Sequence, residues 1–250
     1  LLRSEFTLDR FCVWDDDLRL MRIRFLILLV LSLAVGSSIA APEPNHVILT
    51  GGPALRKWEN YRVKRDQHDR WWANFIRAST LRMDEIRKAS GPASKITWIV
   101  CRHSYASRGA EDGKPYVKWI NELAQKRNVT LRWIETGDQA IRAINKHPRK
   151  SVVSFDYFGH SNKYCFLLDY SNQISGVSKS WIHEKDLSKL SRSIFARNAH
   201  CQSWGCHTAE SMSDAWKRRT RRTLIGVVGK TDYSVVGQGR MPVVVGHWVR

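Results

Sequence analysis

Apolar residues fall into short runs, separated by longer stretches in which they recur at every third or fourth position. Ile96–Cys101, Val129–Ile134 and Ser151–Phe158 are short and rich in β-branched and aromatic residues, which predicts strands. The same reasoning predicts strands at Ala199–Trp204 and Leu224–Gly229, a short one before the Gly51-Gly52 turn, and a terminal one over Pro242–Trp248. Between these runs the period changes. Tyr116–Lys126 puts Trp119, Ile120 and Leu123 on one helical face, and Ala209–Arg219 does so with Met212, Ala215 and Trp216. Gln139–Lys146 predicts a helix capped by Asp138 and ended by Pro148. Trp72, Phe75 and Ile76 also recur at helical spacing, with Leu81 or Met83 extending the face. Arg102 to Pro115 reads as a polar loop, Tyr164–Asp169 as half of a hairpin, and Trp181–Arg197 as a helix or helical turn.

Strands alternating with helical crossovers are the mark of a mainly parallel sheet covered on both faces. The expected class is therefore α/β, a three-layer α/β/α sandwich in one domain over residues 42–250. A chain of 250 residues, 43% apolar and with 11 tryptophans, can bury a sizeable core. Its first 41 residues are set apart. Met21-Arg22-Ile23-Arg24, the apolar Phe25–Val35 and the small residues to Ala41 have the three parts of a signal peptide. Residues 21–41 are read as that signal, with cleavage near Ala40 or Ala41. Residues 1–20, with Asp15-Asp16-Asp17, are read as an extension preceding the true initiator, Met21. A secreted or periplasmic protein is expected, the alternative being an anchor formed by the uncleaved segment. The apolar stretch is short for a bilayer span, so no transmembrane domain is expected after cleavage. Export would permit disulfides among Cys101, Cys165, Cys201 and Cys206, whose pairing the spacing leaves open.

A formal net charge of +18 favours anionic partners such as a surface polymer or lipid. No zinc-finger spacing, RNP-like pattern or recognition-helix unit accompanies it, so no specific nucleic-acid role is expected. Cys201 and Cys206 lack the second half of a zinc framework, and neither metal nor cofactor is expected.

Candidate chemistry gathers at two strand ends. Phe158-Gly159-His160-Ser161 closes one strand, and Ser203-Trp204-Gly205-Cys206-His207-Thr208-Ala209-Glu210 closes another and leads into a helix. A thiol becomes nucleophilic beside an imidazole or at a helix N-terminus, and Cys206 is positioned for both. Cys206 is thus the candidate nucleophile, His160 the base, and the amides around Gly159 and Gly205 candidate oxyanion donors. His68 and Asp69 are assigned to capping or surface pairing.

These two blocks, in this order, resemble the caspase-like superfamily of cysteine peptidases, being most similar to its CHAT and gingipain-like branches. The resemblance covers about residues 95–235. Gly159-His160-Ser161 departs from the family's His-Gly order. The resemblance implies a caspase-like sheet, a Cys206–His160 dyad cleaving a peptide or protein substrate, and a specificity pocket near Arg102-His103 and Asp232-Tyr233. Arg102 would favour an acidic side chain and Asp232 a basic one. Two other readings stand beside it. One is an inactive caspase-like module that binds anionic envelope or extracellular partners. The other is a serine α/β-hydrolase using Ser161, from the partial likeness of Gly159-His160-Ser161 to a nucleophile elbow.

Overall fold

The structure is a computed structural model that describes residues 42–250. The predicted extension and signal peptide lie outside the described residues. In chain order the strands are β1 (Asn45–Thr50), β2 (Lys95–Cys101), β3 (Thr130–Ile134), β4 (Val152–Phe158), β5 (His160–Ser161), β6 (Cys165–Asp169), β7 (Ser180–His183), β8 (Phe195–Ser203), β9 (Leu224–Asp232) and β10 (Val243–Val249). The α-helices are α1 (Asn74–Ser90), α2 (Arg102–Asp112), α3 (Tyr116–Lys126), α4 (Gly137–Asn145) and α5 (Met212–Thr220).

Seven strands form the central sheet in the order β10-β9-β8-β4-β1-β2-β3, and β5-β6-β7 form a small second sheet. All neighbours in the large sheet run parallel except β10, which pairs antiparallel with β9. The apolar character of β1, β2 and β4 follows from their place: strands covered on both faces bury successive residues, so Val47, Ile48 and Leu49 all reach 0% exposure. One face packs Ile141 and Ile144 of α4 and Met212 and Trp216 of α5 against Leu49, Phe155 and Cys201. The other packs Phe75, Ile76 and Met83 of α1, Tyr105 of α2 and Ile120 of α3 against Ile48, Trp98 and Phe158. The protein is a three-layer α/β/α sandwich with a mixed, mostly parallel sheet.

Three expectations are corrected. Arg102–Asp112 is helix α2, not a loop: its inward face carries Ser104, Tyr105, Arg108 and Gly109, so no apolar stripe marks it. Arg108 can be buried because it donates to the Ala54 and Asp69 carbonyls, at 2.8 and 2.7 Å, and to Asp112 at 2.9 Å. Trp181–Arg197 begins with β7 and continues as two short 3-10 turns, Glu184–Lys189 and Arg192–Ile194. Thr136, not Asp138, caps α4, its hydroxyl accepting the Gln139 amide at 3.2 Å. Among the described residues no helix is long and apolar enough to cross a membrane.

Candidate functional site

β1 lies between β2 and β4, so the chain leaves β1 toward one edge of the sheet and later returns on its other side. In open α/β sheets ligands gather at such a switch point, above the carboxyl ends of the strands. Here that position is filled by the buried turns Gly51-Gly52 after β1 and Gly159 after β4, with the half-buried His160 following. The two turns approach closely: the Gly51 amide donates to the Phe158 carbonyl at 2.8 Å, and a Cβ on Gly159 would lie 2.5 Å from the Tyr157 hydroxyl and 3.3 Å from Gly51 Cα. Glycine is required there by space.

His160 is 14% exposed at its side chain and is held from the segment between β1 and α1. Its Nε2 lies 2.6 Å from Asp69 Oδ2. Asp69 is 0% exposed and its carboxylate is fully engaged. Oδ2 also accepts the Ala54 amide at 2.9 Å and faces Arg62 Nη1 at 3.3 Å, while Oδ1 accepts Asn74 Nδ2 at 2.7 Å and faces His68 Nδ1 at 3.1 Å. The expected surface role of His68 and Asp69 is therefore overturned. Both are packed beneath His160, the His68 ring stacking on it with centroids 5.6 Å apart. Glu59, also 0% exposed, accepts the Asp69 amide at 3.1 Å and pairs with Arg62 at 2.9 Å. Phe75 meets the His160 ring edge-on at 5.1 Å and Tyr170 lies at 4.5 Å. A carboxylate on Nε2 selects the tautomer with its proton there and leaves Nδ1 as the basic atom. Among the described residues His160 Nδ1 has no hydrogen-bond partner.

Burial disfavours charge on His160 and lowers its pKa, although Asp69 opposes the shift. The imidazole is thus neutral near pH 7, as a base must be. Burial also pushes Asp69 upward, but His160 and then His68 outweigh it, and the carboxyl sits well below its usual value. Burial and the Asp69 charge raise Glu59 to about 7 against the opposing Arg62.

Cys206 follows β8, which pairs in parallel with β4, so the residues after these strands share one edge of the sheet. The two turns are joined directly: Ser161 Oγ donates to the Cys206 carbonyl at 2.6 Å, and the Trp204 amide donates to Tyr157 O at 2.9 Å. Cys206 Sγ accepts the Thr231 amide at 3.4 Å. Burial raises its pKa, with the Thr231 amide and the Lys230 charge pulling the other way. Among the described residues no hydrogen bond joins His160 to Cys206. The thiol is therefore held in its protonated form near pH 7.

No family model, curated protein or solved structure matches the chain. What its residues can do rests on their own geometry.

The remaining candidates are dispersed. The Gly205 amide already donates to Ser203 Oγ at 3.2 Å, and a Cβ there would lie 2.2 Å from Ser161 Oγ. Gly205 thus serves close packing, and an oxyanion role for its amide would have to displace that bond. The Gly159 amide faces the Tyr233 hydroxyl, which also donates to the Trp204 carbonyl at 3.0 Å. Tyr233 is 2% exposed, so it does not line an open pocket. Asp232 is half-buried and accepts the Ser234 amide at 2.7 Å. Arg102 and His103 are exposed at the start of α2, and Arg102 lines a groove beside β3. Ser161 is followed by a strand, not by the helix a nucleophile elbow requires, and its hydroxyl is spent on Cys206 O. All four described cysteines are free thiols. Cys201 is buried in the core against Trp216, whereas Cys206 is half-buried. Among the described residues no group of three or more His, Cys, Asp or Glu is arranged to hold a metal ion.

Glu59 is the residue that sequence reasoning missed, and Asp69 is the one it noted but assigned to capping or surface pairing. The run Glu59…Arg62…His68-Asp69 was the available signal, since a dense set of opposite charges next to a glycine turn can fold inward as one satisfied network.

Proposed function

We propose that this domain is a cysteine peptidase-like hydrolase of the caspase-like superfamily, with Cys206 as nucleophile, His160 as base and Asp69 as the residue that orients His160. The observation that carries the reading is the Asp69 carboxylate on His160 Nε2, at the end of a strand whose parallel neighbour leads to Cys206. A nucleophile, a base and a group orienting the base is the arrangement on which covalent acyl transfer depends.

In this mechanism His160 Nδ1 takes the Sγ proton as sulfur bonds to the substrate carbonyl carbon. The tetrahedral intermediate collapses, the C–N bond breaks, and the imidazolium returns the proton to the departing amine. Water, deprotonated by His160, then cleaves the thioester and restores the thiol. Asp69 holds the ring and stabilises the imidazolium while it exists. The substrate is a peptide or protein, and the protein acts outside the cytoplasm, as the leader-like residues 21–41 suggest.

Hydrolysis of a mixed peptide pool by the full chain and by Cys206→Ala, His160→Ala and Ser161→Ala tests this. Activity is expected to vanish in the first two and survive in the third. Loss only with Ser161→Ala would reject the thiol mechanism. The second reading, an inactive module for anionic envelope partners, is favoured by the raised Cys206 pKa and the lack of a resting His160–Cys206 hydrogen bond. It requires no turnover by any form of the chain.

A further inference from the structure

The positive charge is unevenly answered by carboxylates. A groove of about 610 Å³ runs between β3 and α4, and Arg102, Arg132, Arg142 and Lys146 line it. All four are exposed, and among the described residues none of their side chains makes a direct hydrogen bond or close ion pair, although the Arg142 charge acts on Asp138 one turn away. Glu135 is the sole acid in the lining. Asp138, the next carboxylate along α4, is held by Lys189 at 2.8 Å. Some exposed cations elsewhere are matched, as Lys189 is by Asp138 at 2.8 Å and Lys230 by Asp66 at 2.7 Å, so the distinction of this groove is that four cations line one cavity beside a free strand edge.

The groove also borders an unused strand edge. β3 is the last strand of the sheet and pairs only with β2. Among the described residues its outer edge makes no backbone hydrogen bond. Five residues of strand offer a template about 17 Å long, and edges of this kind accept an extended chain through main-chain bonds. The cations are spread over the same length, with Arg102 beyond the carboxyl end of β2, Arg132 within β3, Arg142 within α4 and Lys146 at its end. A single small anion would engage one or two of them.

We propose that this groove binds an extended acidic peptide, added to the free edge of β3 with its carboxylates directed to Arg102, Arg132, Arg142 and Lys146. The free backbone edge and the clustered exposed cations together select a peptide, because a polyphosphate or an anionic lipid surface would use the charges alone. The site is separate from Cys206 and His160 and does not rest on the hydrolase reading.

The test is fluorescence anisotropy with a labelled ten-residue peptide of alternating glutamate and threonine, titrated with the full chain. Arg132→Glu with Arg142→Glu should weaken binding at least tenfold. Lys217→Glu with Arg218→Glu, an equal change of charge on the exposed side of α5, should alter it less than twofold. Methylation of alternate peptide amides should also weaken binding at least tenfold, and this comparison needs no variant protein. Cys206→Ala with His160→Ala should bind like the parent. Equal losses in the two charge-reversed proteins, unaltered binding of the methylated peptide, or equally tight binding of inorganic polyphosphate of matched charge would each overturn the proposal.

Discussion

The decisive residue is Asp69, because one carboxylate both positions His160 and organises the buried network below it. Replacing it by Asn keeps the shape but offers His160 Nε2 an ambiguous partner. Asp69→Asn is expected to lower acyl transfer to Cys206 by about a hundredfold, measured as turnover, with little change in the circular dichroism spectrum. Asp69→Ala leaves the half-buried Arg62 and His68 and the Ala54 amide without their acceptor, and a loss of about 3 kcal/mol is expected in urea unfolding. The network also sets how stability varies with pH. Asp69 is depressed below 3.8, so it contributes stability above that pH which is lost as pH falls through the lower folded value. Glu59 works in the opposite sense. Its pKa rises from 4.5 to about 7 in the fold, so the unfolded chain releases this proton first and stability declines as pH climbs through that window. The Glu59 contribution to this decline is on the order of 3 kcal/mol, and Glu59→Gln should flatten it when urea midpoints are compared at pH 4.5 and pH 7.5.

At the scale of elements, the site depends on two turns that interlock. A methyl on Gly205 would lie 2.2 Å from Ser161 Oγ and 2.8 Å from Ser161 Cβ. Gly205→Ala should therefore displace the Cys206 turn and cost about 1–3 kcal/mol, whereas adding Ser161→Gly should recover most of it, as thermal unfolding would reveal. The strands β1, β2, β4 and β9 were legible because they carry continuous apolar or β-branched runs, whereas β8, with Arg197, Asn198, His200 and Gln202, starts four residues before its expected Ala199. The helix over Arg102–Asp112 was not legible, because a buried Arg108 satisfied by carbonyls has no hydrophobic signature. The same holds for the site. Gly159-His160 and Gly205-Cys206 stood out as reactive groups at strand ends, but Asp69 reaches His160 across 91 positions of sequence. Contacts of that range depend on the fold of the 3-10 turns between β1 and α1, which local pattern does not reveal.

For the whole molecule, the fold distinguishes one thiol from the others. Burial raises Cys101 and Cys201 to about 12 and Cys165 to about 11, and all three are enclosed by the core or the small sheet. Cys206 alone among the described cysteines is half-exposed, where β1, β4 and β8 end. Among the described cysteines, brief iodoacetamide treatment of the native protein is expected to modify Cys206 alone, located by peptide mass mapping. The central claim is that His160 activates this thiol. It is tested most directly by the pH dependence of Cys206 acylation with p-nitrophenyl acetate in the native chain and in His160→Ala. The native chain should react near pH 7, where a thiol of raised pKa would otherwise be inert, and His160→Ala should react only as the pH rises beyond about 9. Superimposable profiles for the two proteins would contradict it.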